Sequence, residues 1–292
     1  IASGLGAALS LPMAQGLLAD LVPPEQIPMA LGLWSVQFNI SRILGPSVAA
    51  LAFPLIGAAG NFLLNSLSFL GFILVVWRLK LPRVTGPGEN RGSYREGLGE
   101  FWRQPMLRMV LILAALAGLC AWSYVSLLPI YGTRYLGVGA RGVALLISAF
   151  GIGAVGGGLW ASRQGRWEGA SPILVPFGIF GLGLALLGLN PRLGVAAGAL
   201  LLMGVAQANF LNAMGSQVQW LIPPHLRGRA NAIYLTAILG LLPLGNLAMG
   251  ELAQTLGFHG PRWVIALDGA ALASAALGLG LLNRQALAPN SS

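Results

Sequence analysis

The sequence predicts an all-α membrane protein, and three observations support this prediction: few charges, many glycines and long apolar stretches. Only 9% of the 292 residues are charged and 56% are hydrophobic, whereas soluble domains carry about 25% charged residues to keep their surface hydrated. The 42 glycines follow no collagen-like period. Frequent glycine in apolar stretches is typical of membrane helices that pack closely against each other.

The net charge of +9 would also suit a nucleic-acid-binding protein, which needs a solvated basic face. Here the basic residues lie mainly between apolar stretches. We therefore expect the lipid bilayer as a partner, and no nucleic acid.

Nine stretches are long enough to cross a bilayer, since a transmembrane helix needs about 17–25 mostly apolar residues. They lie at 1–19, 29–53, 60–77, 107–130, 141–161, 170–189, 193–219, 229–250 and 262–282. These stretches are too long for strands, and a helix pairs its own backbone groups where no water is available. The sequence therefore predicts nine transmembrane helices.

The connections are short except for 78–106, a polar segment with six basic residues. Basic loops stay in the cytoplasm, so this segment is placed there. If the other loops then lie on alternate sides of the membrane, twelve of the 17 basic residues are inside and four are outside. We therefore expect a multi-pass protein of the cell inner membrane, with the C-terminus after Arg284 in the cytoplasm.

An amphipathic helix is predicted within this polar segment. Ser93 and Glu96 form a capping box, and apolar residues then recur on one face at Tyr94, Leu98, Phe101 and Trp102. Such a helix lies at the membrane interface. It is interpreted as a tether between two bundles, with a regulatory arm as the alternative.

The chain contains an internal repeat with an offset of 200 residues. Residues 21–24 (LVPP) are echoed at 221–224 (LIPP), and Gly45 matches Gly245. Duplicated halves are an architecture of transporters. Four predicted spans separate the polar segment from the second Pro-Pro turn, but only one span precedes the first. We therefore expect three further helices before Ile1 in the parent protein, which gives nine of twelve.

The stretches DLVPPEQ at 20–26 and NISRILGP at 39–46 resemble the major facilitator superfamily. Within it they are similar to the branch of drug and enterobactin-type siderophore exporters. Gly45-Pro46 matches the core of the fifth-helix antiporter motif of that family, although Ala49 stands where a glycine is usual. A degenerate form of the family's loop signature lies at 158–166, without its acidic residue.

The resemblance covers the whole chain and implies a major-facilitator-type helical bundle of two six-helix halves. The expected domains are an incomplete N-terminal half at 1–77, a cytoplasmic linker at 78–106, a six-helix C-terminal half at 107–284 and a tail at 285–292. It also implies proton-coupled efflux of a drug-like compound or siderophore by alternating access. We expect a monomer with no catalytic residues, metal or cofactor.

Arg42 is the most specific candidate residue, because an ionisable side chain halfway along a membrane span usually faces the bundle interior. A polar stripe accompanies it on the same helix face: Ser35, Asn39, Arg42 and Pro46. Arg42 either binds an anionic group of the substrate or donates hydrogen bonds to backbone carbonyls. Gly45 and Pro46 form either a seal against leakage or a static kink.

Asp268 is the one carboxylate clearly inside a predicted span. It is a candidate proton site, or a group that hydrogen bonds to a neighbouring helix. Trp122 and Tyr124 lie midway along another span and form either a substrate wall or ordinary packing. Asn209 and Asn212 belong to a polar set on span 193–219 that either meets substrate or joins helices. The single cysteine, Cys120, is interpreted as core filling.

Three alternatives to a transporter stay open. A membrane-embedded enzyme needs convergent catalytic groups, and a channel needs a ring or re-entrant filter; neither pattern is found in the sequence. The third alternative is that these 292 residues are a fragment or scaffold that does not transport by itself.

Overall fold

Residues 22–78, 94–164 and 169–282 are described by the computed structural model, and within these ranges every regular element is helical. The helices are α1 Ile27–Arg78, α2 Tyr94–Arg103, α3 Pro105–Leu116, α4 Ser123–Arg134, α5 Ala140–Arg163, α6 Ser171–Leu189, α7 Leu193–Leu221, α8 Arg227–Leu235, α9 Leu242–Thr255 and α10 Gly260–Leu282. One π turn, Ala117–Ala121, joins α3 to α4, and another, Thr236–Gly240, joins α8 to α9. The predicted span 1–19, Ser93 and the tail 285–292 lie outside the described residues.

Six helical stretches in the described residues are long and apolar enough to cross a membrane. They are Pro105–Arg134, Arg141–Arg163, Ser171–Leu189, Leu193–Leu221, Arg227–Thr255 and Gly257–Leu282. Each matches one of the six predicted spans from 107–130 to 262–282, with ends shifted by a few residues. The protein is thus an all-helical, multi-pass membrane protein.

Helix α1 covers the two predicted spans 29–53 and 60–77 in one element. Its helical geometry breaks at Gly57, where φ is 65° and ψ is −173°. Glycine populates this region without the clash that a Cβ atom causes. The break therefore falls between the two predicted spans. The inferred total of nine helices out of twelve remains a prediction.

Close backbone contacts hold the bundle together at glycines. A Cβ atom on Gly181 of α6 would lie 2.6 Å from the backbone nitrogen of Ala273 on α10. On the other side of α7, a Cβ on Gly157 of α5 would lie 2.6 Å from the carbonyl oxygen of Val205. Lipid tails are as apolar as leucine, so this steric fit, rather than burial from water, selects the helix pairs.

Two polar side chains tie the end of α6 to its neighbours. Arg262 donates to the carbonyls of Gly188 at 3.3 Å and Leu189 at 3.2 Å, and the Tyr131 hydroxyl donates to Leu187 at 2.5 Å. The last carbonyls of a helix have no partner within it, and they carry the negative end of the helix dipole. A cation and a hydroxyl therefore stabilise this end.

The predicted amphipathic helix exists as α2, but its apolar face packs on protein and not on lipid. Phe101 is fully buried, and the Cβ position of Gly97 lies 3.2 Å from Ile233 of α8. Gln104, just after α2, donates to the carbonyl of Leu221 at 3.4 Å. Trp102 remains 56% exposed. Helix α2 is therefore fixed to the six-span bundle at the end where α7 meets α8.

The two Pro-Pro turns of the sequence repeat have the same local structure. Gln26 donates its backbone N–H to the carbonyl of Pro23, and Leu226 donates to Pro223, each at 2.9 Å. Each bond closes one 3₁₀ turn just before a helix begins. Equal turns at an offset of 200 residues support the duplicated unit that the sequence predicts.

Candidate functional site

Two π turns meet inside the bundle and define the candidate site. A Cβ atom on Gly118 would lie 2.5 Å from the carbonyl oxygen of Ile238 and 2.6 Å from that of Ala237. Pro243 follows the second turn, and because proline has no N–H to donate, it weakens the preceding helix. Such turns are rare in helices and are frequent at functional sites.

Asp268 lies against the first π turn. The carboxyl is 2% exposed and accepts a hydrogen bond from the hydroxyl of Ser123, which is 3% exposed. The Ser123 hydroxyl also lies 3.1 Å from the backbone carbonyl oxygen of Cys120, which belongs to the first π turn. The candidate proton site is thus a three-residue cluster that joins α10 to the start of α4.

A buried carboxylate usually has a cationic partner, because charge is costly to remove from water. Within the described ranges, no arginine or lysine forms an ion pair with Asp268, whereas Arg103 pairs with Glu100 on α2. The described residues also contain no group of three histidine, cysteine or acidic side chains placed to hold a metal ion.

Trp122 and Tyr124 have different surroundings. Trp122 is half-buried and ends the π turn, with a φ of −110° and a ψ of −5°. Tyr124 is buried, and its ring centroid lies 6.0 Å from that of Phe150 and 6.3 Å from that of Phe180. Edge and tilted ring contacts of this kind stabilise a core. Tyr124 thus forms part of the packing between α4, α5 and α6.

Asn209 and Asn212 donate hydrogen bonds to backbone carbonyls. The Asn209 amide donates to Val205 at 2.8 Å and to Gly157 of α5 at 3.5 Å, while the Asn212 amide donates to Ala208 at 2.7 Å. Asn209 therefore joins α7 to α5, which is the helix-joining alternative that the sequence left open.

Three other polar groups on α7 are buried without a hydrogen-bond partner among the described residues. They are the Gln207 amide nitrogen, the Ser216 hydroxyl and the Gln219 carbonyl oxygen. Ser216 and Gln219 are three residues apart and share a helix face. Gln207 lies on the face opposite Ser216, because the nine residues between these two positions make two and a half helical turns. Unpaired buried polar groups are unfavourable, so both faces of α7 can accept further partners.

The candidates in the first half of the chain lie on α1. Asn39, Arg42, Gly45 and Pro46 are all within this helix, but their side chains lie outside what the structure describes. The backbone of α1 remains helical on both sides of Pro46. Their roles therefore rest on their sequence positions.

A groove between α6 and α10 lies away from these residues. It has a volume of about 700 Å³ and is lined mainly by apolar residues such as Leu174, Val175 and Leu277, with Ser171 at one end of α6. None of the candidate residues lines it.

Sequence reasoning missed Ser123 and the two π turns. A serine in an apolar span is unremarkable by itself, and π turns leave no periodic signal because they insert one residue into an otherwise regular helix. Cys120 was interpreted as core filling, and its side chain does pack against the core cluster, but its backbone carbonyl also lies 3.1 Å from the Ser123 hydroxyl. One usable signal was present, because Cys120 and Ser123 are three residues apart and so share a helix face.

Comparison with protein families gives one match over nearly the whole chain. The sequence model of a family described as transmembrane secretion effectors matches residues 1–289. No curated protein matches the sequence.

Solved structures of membrane transporters share the fold. A bacterial homologue of the iron transporter ferroportin, in an outward-facing state, is 20% identical with a TM-score of 0.70, and the match covers 95% of this chain and 70% of that one. A bacterial ferroportin homologue in an outward-facing state with soaked iron is 18% identical with a TM-score of 0.65, and the match covers 90% of this chain and 65% of that one. The human organic anion transporter MFSD10 is also 18% identical with a TM-score of 0.65, and the match covers 95% of this chain and 67% of that one. The chain thus spans 65–70% of the length of these neighbours.

Proposed function

The chain belongs to the transmembrane secretion effector family of the major facilitator superfamily, and on this premise we propose that the intact protein is a proton-coupled exporter. Membership of the superfamily supports a membrane transporter rather than an enzyme. The proposed cargo is a drug-like compound or a siderophore, moved outward across the cell inner membrane by alternating access. The C-terminus is proposed to be cytoplasmic and the protein to be a monomer.

A close contact between α1 and α5 carries this proposal. A Cβ atom on Gly32 would lie 2.7 Å from the backbone nitrogen of Ser162, and a Cβ on Gly158 would lie 3.2 Å from the carbonyl oxygen of Gly32. Alternating access requires two halves that close on one side of the membrane while the other side opens. This contact joins the two predicted halves at one end of α1, beside the first Pro-Pro turn.

The contact has the geometry of a closed side. Glycines on both helices let the backbones approach to van der Waals distance, which excludes water and substrate from the gap between them. A neighbour with the same fold is in an outward-facing state. We propose that this chain is closed at the same end, which the sequence places in the cytoplasm.

Arg42 is proposed to select the cargo. Its position halfway along a predicted span favours a partner with negative charge, because an unpaired cation at this depth is unfavourable. The net charge of +9 also favours an anionic cargo over a cationic one. Siderophores and acidic drug-like molecules both have the required chemistry.

The parent protein is proposed to have twelve helices, with three before Ile1. The repeat supports this number, and so does the coverage of 65–70% of the structural neighbours. Most described side chains in the part of α1 that follows Gly57 are exposed; Phe62 and Trp77, for example, are 75% and 84% exposed. This exposure favours the alternative that residues 1–292 do not transport by themselves.

The test is efflux of a panel of dyes and siderophores from cells that express the intact parent protein. Arg42→Ala is compared with Arg163→Ala, which removes an exposed arginine at the end of α5. Because Arg163 lies within the signature at 158–166 and beside Ser162, a second control is Arg192→Ala, which removes an exposed arginine just before α7. We expect uncoupler-sensitive efflux that Arg42→Ala reduces at least tenfold, while Arg192→Ala leaves it unchanged. The 292-residue chain is expected to give no efflux.

Membrane abundance is measured for every variant, so that loss of transport is separated from loss of protein. Equal efflux by Arg42→Ala and the parent would reject Arg42 as a cargo-binding residue. Efflux that survives an uncoupler would reject proton coupling. No efflux of any compound by correctly inserted parent protein would reject export of these classes.

A further inference from the structure

We infer that the carboxyl of Asp268 binds the coupling proton and passes its effect to the π turn Ala117–Ala121 through the hydroxyl of Ser123. This inference rests on the proposed transport function and deepens it. It assigns proton coupling to a group behind the π turn, held by α10, rather than to a residue that touches the cargo.

The first step of the argument is the single hydrogen of the Ser123 hydroxyl. Two acceptors compete for it: the carbonyl oxygen of Cys120 at 3.1 Å and the Oδ2 atom of Asp268. A hydroxyl donates one hydrogen and accepts through its lone pairs. When Asp268 is charged, its carboxylate takes the hydrogen of Ser123, because hydrogen bonds to charged groups are stronger.

Protonation reverses the direction of this bond. One proton from water forms an O–H bond on Asp268, and this O–H donates to the Ser123 oxygen. The Ser123 hydroxyl is then free to donate to the Cys120 carbonyl, so both bonds exist together. The proton on Asp268 therefore decides whether the Ser123 hydroxyl donates its hydrogen to α10 or to the π turn.

The second step is the electrostatic isolation of Asp268. Helix α10 packs against α3, the π turn, α4, α6, α9 and the turn Gly257–His259. Among the titratable side chains on these elements, Tyr131 donates to Leu187, Tyr124 packs on aromatic rings, and Cys120 packs against the core cluster. On α10 itself, Arg262 donates to the end of α6. The remaining charged or titratable groups are exposed: Arg108, Arg134, Glu251 and His259.

No cation in this described neighbourhood stabilises the charged form of Asp268, so proton uptake is the direct way to remove the buried charge.

The third step is mechanical. The π turn that receives the hydrogen bond from Ser123 also contacts the second π turn at Gly118. A π turn departs from the regular hydrogen-bond pattern of the α-helices around it, so we expect its conformation to respond to one added hydrogen bond. The conformation of the two π turns is thus what protonation of Asp268 can change.

Infrared spectroscopy of the intact protein in lipid vesicles tests the protonation. We expect a carboxylic C=O stretching band that titrates with pH, is absent in Asp268→Asn and shifts in frequency in Ser123→Ala. Glu251→Gln, which removes an exposed carboxyl of α9, serves as the control and is expected to keep the band. A titrating band that persists in Asp268→Asn would overturn the inference.

Amide hydrogen exchange at two pH values, one on each side of that titration, tests the coupling to the π turn. After correction for the intrinsic rate, residues 117–122 are expected to exchange about fivefold more slowly at the lower pH, the effect of about one hydrogen bond. The difference between the two pH values should disappear in Ser123→Ala. This variant retains Asp268, so the test remains informative if Asp268→Asn does not fold.

Equal exchange at both pH values in the wild-type protein would overturn the coupling. Neither measurement needs a cargo, so a protein that fails every efflux assay can still confirm this inference. Conversely, uncoupler-sensitive efflux without the titrating band would retain the proposed function and reject Asp268 as its proton site.

Discussion

The bundle formed by α3–α10 and the part of α1 beyond Gly57 are equally apolar, yet one is packed and the other is exposed. The main core cluster draws its buried residues from Phe101 to Ala276, whereas the described side chains of α1 contribute a cluster of Ile27 and Leu31 near its start. Phe62 on α1 is 75% exposed. Apolar composition therefore places a helix in the membrane without giving it a protein partner.

Glycines show the difference most clearly. Gly157 and Gly181 lie against the backbones of neighbouring helices, and a Cβ atom at either position would clash. Gly71 on α1 has no described atom within 4 Å of its Cβ position. Glycine thus marks a helix contact only where a second backbone approaches it, so its abundance alone does not measure packing.

Polar side chains repeat this contrast. In the bundle, Tyr131 and Arg262 donate to carbonyls of a different helix, α6. On α1, Ser66 and Ser68 donate to Phe62 and Asn65 of the same helix. Bonds within one helix satisfy polar groups without fixing a tertiary structure, whereas bonds between helices define one.

The largest effect is expected from Gly181→Leu, which would break the packing of α6 against α10. The new side chain meets the backbone of Ala273, and overpacking of a tight contact costs about 1–3 kcal/mol or more. We expect a clearly lower midpoint of thermal unfolding in detergent, or no folded protein at all.

Gly71→Leu on α1 is the matched control in the 292-residue chain, because no described atom lies within 4 Å of the Cβ position there. It should leave the unfolding midpoint unchanged. Equal destabilisation by both substitutions would mean that the contrast between the two regions is wrong.

A smaller effect is expected from Gly32→Leu at the contact between α1 and α5. The added side chain collides with Ser162 only while this side is closed, so it disfavours that state. A penalty of about 1–3 kcal/mol corresponds to a shift of about 5–150-fold between the two states. Transport by the intact protein should fall accordingly.

Accessibility to a water-soluble thiol reagent at a cysteine introduced at Ser162 reports on the same change. In a Cys120→Ser background, labelling should increase when Gly32→Leu is added. Unchanged labelling and unchanged transport together would show that this contact does not close the protein.

The smallest effect is expected from Tyr131→Phe, which removes the hydroxyl bond from α4 to α6. Hydrogen bonds between membrane helices contribute about 0.6 kcal/mol on average, so the loss of unfolding free energy should be near this value. Ser66→Ala removes a bond within α1 and should have no measurable effect on unfolding. A larger loss for Ser66→Ala than for Tyr131→Phe would reverse the comparison.

Much of the fold was predictable from local sequence. The spans predicted at 170–189 and 193–219 correspond to α6 at Ser171–Leu189 and α7 at Leu193–Leu221, because a long apolar stretch between polar turns leaves few alternatives to a helix. The packing side of α2 was not predictable. Its apolar face suits both lipid and protein, and only the presence of Ile233 beside Gly97 decides between them.

The candidate site was predictable only in part. Asp268 stood out because a carboxylate is rare inside an apolar span, but nothing near it in the sequence identifies Ser123 as its partner. Asn209 and Asn212 stood out equally, although their amides donate to backbone carbonyls. Polarity within a span signals that a side chain needs a partner, without showing whether that partner is substrate, proton or backbone.

The sequence by itself determined the membrane class and the positions of six spans, and it indicated the repeat marked by the two Pro-Pro turns. These properties are local: hydrocarbon thickness fixes helix length, and missing water forces each backbone to pair with itself. Only the tertiary structure decided that Ser123 faces Asp268, 145 residues away, and that Gly181 faces Ala273. Lipid competes equally for every apolar side chain, so steric fit and buried hydrogen bonds, which no single segment contains, select the helix partners.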